Sequence, residues 1–199
     1  MVVRAERELY DAIWQVPGYA DHSPGAERVP LFLDMAQPPA GATVLDAGCG
    51  SGKGALALRA AGFQVDMMDL TDEGLVPDAQ DLPFRSGCLW EQPAPLYRGL
   101  YDYVYCCDVL EHIPTEYTML TIARLLEQVR GGVGTFAGTG GLFLSIALQP
   151  DHFGVWVGRP LHLTVRDFSW WRDRLRDLGE LVEARDLLSS GVYYVRGRR

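Results

Sequence analysis

The sequence lacks the features that would commit it to a membrane, to a disulfide framework or to nucleic acid. No apolar stretch approaches the ~20 residues that a membrane-spanning helix requires. The N-terminal "MVVRAERELY" has no apolar core of the kind a secretory signal carries. Cysteine is scarce: Cys49, Cys88, Cys106 and Cys107 are the only four, and no two stand in a CxxC pair. Neither a disulfide framework nor a metal site is therefore expected. Basic residues are also few, 18 Lys and Arg against 26 Asp and Glu, for a formal net charge of -8. Binding to a phosphate backbone is largely an electrostatic effect of Lys and Arg, so nucleic acid is disfavoured as a partner. The arginines Arg196, Arg198 and Arg199 at the C-terminus read as a solvated end. A reduced, cytoplasmic setting is the expectation, with no membrane partner; nothing in the sequence points to an oligomeric state.

What is present is an ordinary globular composition, 48% hydrophobic and 22% charged over 199 residues, enough for one domain with a substantial core. Three apolar runs, "TVLDA" (43–47), "YVYCCDV" (103–109) and "GLFLSIAL" (141–148), lack the alternation of a half-exposed strand. They suit central strands of a parallel sheet covered on both faces. A shorter run, "FQVDMMDL" (63–70), follows a helical pattern closed by Gly62. A second helical pattern, "PTEYTMLTIARLLEQVRGG", carries apolar residues at three- and four-residue spacing and ends in glycine. Alternating strands and helices imply βαβ units. The C-terminal part differs. "LTVRDFSWWRDRLRDLGE" reads as a helix begun by Thr164 with Asp167 as a capping-box partner. "LVEARDLL" and "GVYYVRGRR", joined by "SSG", read as an antiparallel hairpin. The first forty residues read as a helical cap appended to a core of 41–199, and "GGVGTFAGTGG" (131–141) as a glycine-rich connection.

The chemistry centres on "VLDAGCGSGKG" (44–54), where a strand breaks into glycines before a helix. A dinucleotide-binding turn aligned on Gly48 and Gly50 would need a small third residue where Lys53 stands. A phosphate-binding loop aligned on Gly52 and Lys53 would need glycine where Ala47 stands and a hydroxyl where Gly54 stands. Both phosphate readings fail at positions with a physical job, and Asp46 would repel a phosphate.

"LDAGCGSG" resembles instead the E/D-x-G-x-G-x-G signature of class I S-adenosylmethionine-dependent methyltransferases. Three further segments resemble that family in the same order: "FQVDMMDL", ending in Asp69; "PDAQDLPF" (77–84); and "YDYVYCCDVLEHIP" (101–114). The resemblance spans residues 41–199. It implies a Rossmann-like α/β fold, a mostly parallel sheet with a C-terminal antiparallel hairpin and helices on both faces. It also implies S-adenosyl-L-methionine as cofactor, with S-adenosyl-L-homocysteine as product. Asp46, Ala47, Gly48, Cys49 and Gly50 would then seat the methionyl and ribose parts. Asp69, with Leu70 beside it, would accept the ribose diol; Asp78 and the Ala79 N–H would meet adenine; Cys107 and Asp108 would lie near the methionyl sulfur. Gly52 reads as a helix–strand packing residue, Lys53 as a surface residue and His112 as structural. Only eight residues separate Asp69 from Asp78, too few for a crossover helix. A trimmed second crossover is expected, with an irregular stretch around Val76 in place of a full third strand.

The same resemblance implies methyl transfer to a small-molecule or peptide-sized acceptor. The signature [DNS]-P-P-[YFW] of base-methylating enzymes is replaced by "CDVL". His152 and His162, in the loop "QPDHFGVWVGRPLHLT" (149–164), are the candidate catalytic bases, because an imidazole titrates near neutral pH. Trp14, Tyr19, His22 and Arg28 are candidate wall residues from the N-terminal segment. Another S-adenosylmethionine-using transferase, or a non-catalytic module binding the same cofactor, remains an alternative reading of the motif set.

Overall fold

The computed structural model describes residues 2–91, 100–130 and 140–198. The glycine-rich connection expected over 131–141 lies outside them apart from Gly140 and Gly141, as does Arg199. The apolar runs form a seven-stranded sheet: β1 (Thr43–Ala47), β2 (Gln64–Asp69), β3 (Phe84–Ser86), β4 (Tyr103–Cys107), β5 (Gly141–Ala147), β6 (Gly179–Asp186) and β7 (Ser190–Gly197). Their order is β3-β2-β1-β4-β5-β7-β6. Pairs from β3 to β5 are parallel, with Val44 opposite both Val65 and Tyr103. β7 is antiparallel to β5 and to β6, as the hairpin reading requires.

Among the described residues, five helices flank the sheet: α1 (Val2–Trp14), α2 (Gly25–Ala36), α3 (Lys53–Ala60), α4 (Thr115–Gln128) and α5 (Phe168–Leu178). Successive strand residues point to opposite faces, which sorts the core into two layers. Leu45, Val104, Cys106 and Leu144 join Ile122, Leu125 and Trp171 from α4 and α5. Val44, Tyr103, Tyr105 and Phe143 join Phe32 and Leu58 from α2 and α3. Phe32 is fully buried, its ring edge-on to Tyr103, Tyr105 and Phe143. Helix α2 thus packs into the core, with only its first residue, Gly25, at the cleft, whereas α1 and the 3-10 turn Tyr19–His22 lie along it.

Several local expectations shift. The second crossover is trimmed to a 3-10 turn, Pro77–Ala79, but a third strand does exist at Phe84–Ser86, parallel to Met67–Asp69. The segment around Val76 instead bonds back to the glycine turn, the Val76 N–H donating to Ser51 O. Helix α5 starts four residues after Thr164: Asp167 is its N-cap, accepting the Trp170 N–H at 2.7 Å. Thr164 is buried and donates to the Ile113 carbonyl. Helix α4 ends at an extended Val129 that bridges to Tyr101, before any glycine. The β6–β7 turn is Leu187–Ser189, with Leu188 left-handed at φ 69°, ahead of the "SSG" that would have formed it. Of the paired tryptophans, Trp171 is core and Trp170 is half-buried beneath Arg174.

Candidate functional site

The loops after β1, β2, β4 and β5 meet at one end of the sheet, where the strand order reverses between β1 and β4. In open α/β sheets this is where ligands bind. A cleft open to solvent lies there, lined by residues from all four loops. Its floor is the glycine turn. Gly48 adopts φ 77°, and a Cβ on it would come within 2.3 Å of Val109. Gly50 adopts φ 51° and donates its N–H to Asp69 Oδ2 at 2.8 Å, with Trp14 lying against it. No L side chain combines that conformation with that clearance at low cost. Gly52 packs on Ala79, as a residue needed for close packing rather than for ligand contact.

Two carboxylates mark the floor. Asp46 is 3% exposed, and its Oδ2 has no hydrogen-bond partner. Burial, then the neighbouring Asp69, pushes its pKa up to about 7. The Ala55 N–H opposes the rise, and a carboxylate that far from water with one oxygen unpaired is poised for a cation. Gly54 leaves the space beside it unfilled: a Cβ at residue 54 would sit 3.0 Å from that oxygen. Asp69 is held differently. Its Oδ1 accepts the Leu70 N–H at 2.6 Å and its Oδ2 the Gly50 N–H. Burial raises its pKa, and these backbone donors oppose the rise. The Thr71 N–H adds a third backbone bond, and the carboxylate still keeps lone-pair capacity for an incoming hydroxyl.

The far wall comes from β4 and β5. Cys107 faces the cleft while Cys106 falls in the opposite core layer, the alternation of a strand deciding between them. Asp108 follows in the left-handed region, φ 55°, a strained conformation for a non-glycine residue. Burial pushes its carboxyl up to about 6 against the opposing charge of Arg28. Next comes a 3-10 turn, Leu110–His112. Glu111 is fully buried; its Oε1 accepts the Ala147 N–H at 3.0 Å, and its Oε2 has no partner. Burial and Asp108 together hold Glu111 well above the usual carboxyl range. His112 Nδ1 lies 2.8 Å from Tyr10 Oη, and burial followed by the nearby His162 pushes its pKa down to about 3. His162 Nδ1 is 2.6 Å from the Gln149 carbonyl. A carbonyl only accepts, so Nδ1 carries the hydrogen and the neutral ring leaves Nε2 with its lone pair. Asp151 locks this loop. Burial would raise its pKa, but the N–H groups of His162, Gly154 and Leu161 outweigh that and lower it.

Of the sequence-predicted residues, Asp46, Gly48, Cys49, Gly50, Asp69, Leu70, Cys107, Asp108 and His162 line the cleft. Four do not. Ala47 points into the core layer beneath α4 because it alternates with Asp46. Asp78 is exposed and Ala79 is buried against Gly52, because the shortened crossover carries this turn behind the glycine loop. The apolar surface beside Asp69 is supplied instead by Leu70, Gly87 and Leu89. His152 is exposed and off the cleft. Trp14, Tyr19 and His22 do form a wall, but Arg28 reaches past it to Ser190 Oγ at 3.2 Å. Lys53 is more than a solvated residue: it donates to the Ala20 carbonyl at 2.8 Å and pairs with Asp21, tying the 3-10 turn to α3.

Glu6, Tyr10 and Trp14 all line the cleft and were not read together from sequence. Their i, i+4, i+8 spacing on α1 is the signal that would have grouped them. Glu6 is 6% exposed and pairs with Arg159 of the loop after β5. The expectation of no metal site rested on cysteine spacing; the structure brings donor atoms of Glu111, His112 and His162 within 4.8 Å of one another.

Comparison with known proteins agrees with this architecture. A family model described as "Methyltransferase domain" matches residues 22–187. The ubiquinone biosynthesis O-methyltransferase of Aromatoleum aromaticum is 33% identical over 130 residues, 60% of this chain and 54% of that protein. The chain spans about half the length of the curated relatives it matches. Among solved structures, the PH0226 protein of Pyrococcus horikoshii superposes with a TM-score of 0.69 at 12% identity, covering 93% of each chain. Magnesium protoporphyrin IX methyltransferase of Synechocystis, solved with its bound methyl donor, gives 0.63 at 23% identity, covering 96% of this chain and 90% of that one. The fold is shared with both. Among the described residues, no helix is long and apolar enough to cross a membrane.

Proposed function

The chain belongs to the methyltransferase-domain family, the class I S-adenosylmethionine-dependent enzymes, and from that premise we propose that it transfers a methyl group to an oxygen of a small aromatic acceptor. The observation that carries the reading is the pairing, over one glycine turn, of Asp46, which keeps one carboxylate oxygen unpartnered, with the backbone-anchored Asp69. These residues fit S-adenosylmethionine. Asp46 would take the methionyl ammonium; Asp69 would accept the ribose hydroxyls; Leu70 and Leu89 would offer apolar surface to the base. When bound, the cofactor supplies an electrophilic methyl group on a sulfonium.

The chain's own residues do the rest. The glycine turn and Cys107 shape the donor half of the cleft; Tyr10, Trp14, Tyr19 and Phe153 enclose the acceptor half. Trp14, Tyr19 and Phe153 stack edge to face in sequence, at 4.8 and 5.6 Å, a frame suited to a flat acceptor. Positioning supplies much of the acceleration in such a displacement. His162, its Nδ1 on the Gln149 carbonyl, is the residue at the acceptor end whose neutral ring can receive a proton at Nε2. The oxygen acceptor is supported by the curated relatives, which are named for O-methylation. A cytoplasmic setting and a single-domain organisation are part of the same proposal.

Calorimetry with S-adenosylmethionine and S-adenosylhomocysteine tests the reading, followed by transfer of labelled methyl to a panel of phenols. Binding of both cofactor forms and a labelled, 14-dalton heavier phenol (roughly one methylene) are expected. A larger mass gain would indicate a different transfer from the same cofactor, and binding without turnover a non-catalytic module. No binding of either form would refute the proposal.

A further inference from the structure

We propose that Tyr10 selects the acceptor: its hydroxyl accepts a hydrogen bond from a second donor group, a hydroxyl or an amine, on the ring whose oxygen is methylated. Which oxygen reacts rests on the methyltransferase reading above; the state of Tyr10 follows from counting hydrogens around one imidazole. Tyr10 Oη lies 2.8 Å from His112 Nδ1, and both residues line the cleft. His112 also bonds the backbone of Leu161. The Leu161 N–H is already spent on Asp151 Oδ2 at 2.8 Å, so the group that meets the ring is the carbonyl, which only accepts. This bond favours the protonated ring, as a bond donated by a ring N–H does. With Nδ1 taken by Tyr10, that N–H is Nε2.

Burial, then the neighbouring His162, still pushes His112 down to about 3. At neutral pH the ring therefore carries one hydrogen, at Nε2, and Nδ1 is a lone pair. Tyr10 is then the donor in the pair. A phenol has a single hydrogen, and with it committed to His112 the Tyr10 oxygen has only lone pairs left for the cleft. The same magnitude excludes a proton relay. A relay would need Nδ1 to act as a base, and a ring pushed down to about 3 is a poor one at neutral pH. Burial also holds Tyr10 well above the ordinary tyrosine range, so it is no phenolate. The pair recognises and does not relay.

His162 stands edge to face with His112, centroids 4.7 Å apart, and keeps its own lone pair at Nε2. This corner of the cleft thus offers two accepting atoms on separate residues: His162 Nε2 for the hydroxyl that reacts, and Tyr10 Oη for a second substituent. Donation to His112 polarises the Tyr10 hydroxyl and strengthens it as an acceptor. A methoxy or carboxylate substituent would set lone pairs against lone pairs. Among the described residues, no lysine or arginine side chain lines the cleft to favour a negative charge. A site built around an accepting atom rejects a ligand that cannot donate, because the buried atom is left unpaired.

The test compares four phenols that differ in one ring substituent: hydroxyl, amino, methoxy or carboxylate. Each is measured as kcat/KM for transfer of labelled methyl, and as Kd by calorimetry on the full chain loaded with S-adenosylhomocysteine. The parent is expected to favour the hydroxyl and amino compounds by at least about tenfold. Y10F is expected to lose that preference through KM rather than kcat, with S-adenosylhomocysteine affinity and cooperative unfolding retained. A parent without the preference, or a folded Y10F that keeps it, overturns the proposal. Long-range proton–nitrogen NMR reads the His112 tautomer in the parent chain. Hydrogen at Nε2 and none at Nδ1 is expected; hydrogen at Nδ1 overturns the proposal, even should Y10F not fold. A preference in Kd with no methyl transfer refutes the methyltransferase reading and leaves the role of Tyr10 standing. Transfer to all four phenols alike does the reverse.

Discussion

Replacing Asp46 by asparagine should make the cofactor-free protein more stable at alkaline pH and a poorer binder of cofactor. Asp46 ionises in the folded chain only near pH 7, against an ordinary value of 3.8, because burial and Asp69 disfavour its charge. A folded-state pKa above the unfolded one means that the native chain binds the extra proton. Its contribution is then fully present below about pH 4 and is lost as pH rises through about 7. At about 1.36 kcal/mol per pKa unit, the separation costs the wild type about 4 kcal/mol of stability between those limits. The amide of the D46N variant carries no charge, so its stability lacks this component of the slope. The difference between the two proteins should grow by about 3 kcal/mol from pH 4.5 to pH 8.5, since an imperfectly bonded amide adds only a constant offset. Cofactor binding moves the other way. Loss of a charge-assisted bond of about 1.5–3 kcal/mol should weaken S-adenosylhomocysteine about 10- to 150-fold, and wild-type affinity should itself fall below pH 7. Urea unfolding across pH and calorimetry read the two effects. A D46N variant less stable than wild type at pH 8.5, or one binding cofactor with unchanged affinity, would refute the assignment.

Other substitutions probe the rest of the cleft. Asp69→Ala should weaken cofactor binding by at least about tenfold and also loosen the turn, since Gly50 loses its acceptor; faster amide exchange at Gly50 and Leu70 would report the second effect. Gly48→Ala places a Cβ 2.3 Å from Val109 at φ 77° and should cost about 2 kcal/mol or more, measured by urea unfolding; a variant as stable as the parent would show the turn to be adaptable. Asp167→Ala removes the cap of α5 and should lower Tm by a few degrees, whereas Thr164→Ser, which keeps the hydroxyl bonded to Ile113, should change it less. Glu6→Gln breaks the pair with Arg159 and should raise KM for the acceptor more than for the cofactor, because it frees α1 from the loop after β5.

Periodic patterns transferred well from sequence to structure, and contingent packing did not. The runs at 43–47 and 103–107 read as buried strands because they lack the polar alternation of a half-exposed strand, and they are buried on both faces. The trimmed crossover was legible from the eight-residue spacing between Asp69 and Asp78. The strand that follows was not, since Phe84–Ser86 is only three residues long and forms by pairing with β2. Asp78 and Ala79 match the motif letter for letter, yet the short crossover swings them behind the loop. Thr164 reads from sequence as the helix start with Asp167 as its capping-box partner; the buried bond of Thr164 to Ile113 takes it away from the helix, and Asp167 is the cap.

The sequence by itself determined the layered α/β order, the glycine turn and the two strand-end aspartates, because periodicity, turn chemistry and strand-end position are properties of neighbours along the chain. The tertiary structure alone decided which charges face one another. Glu111 and His112 belong to one short turn and His162 follows fifty residues later, so no spacing rule joins them. Parallel β4 and β5 bring their C-terminal loops side by side, and the Glu111 carbonyl receives the N–H groups of Leu163 and Thr164. That pairing sets His162 against His112. It also leaves the Glu111 carboxyl buried with one oxygen unanswered.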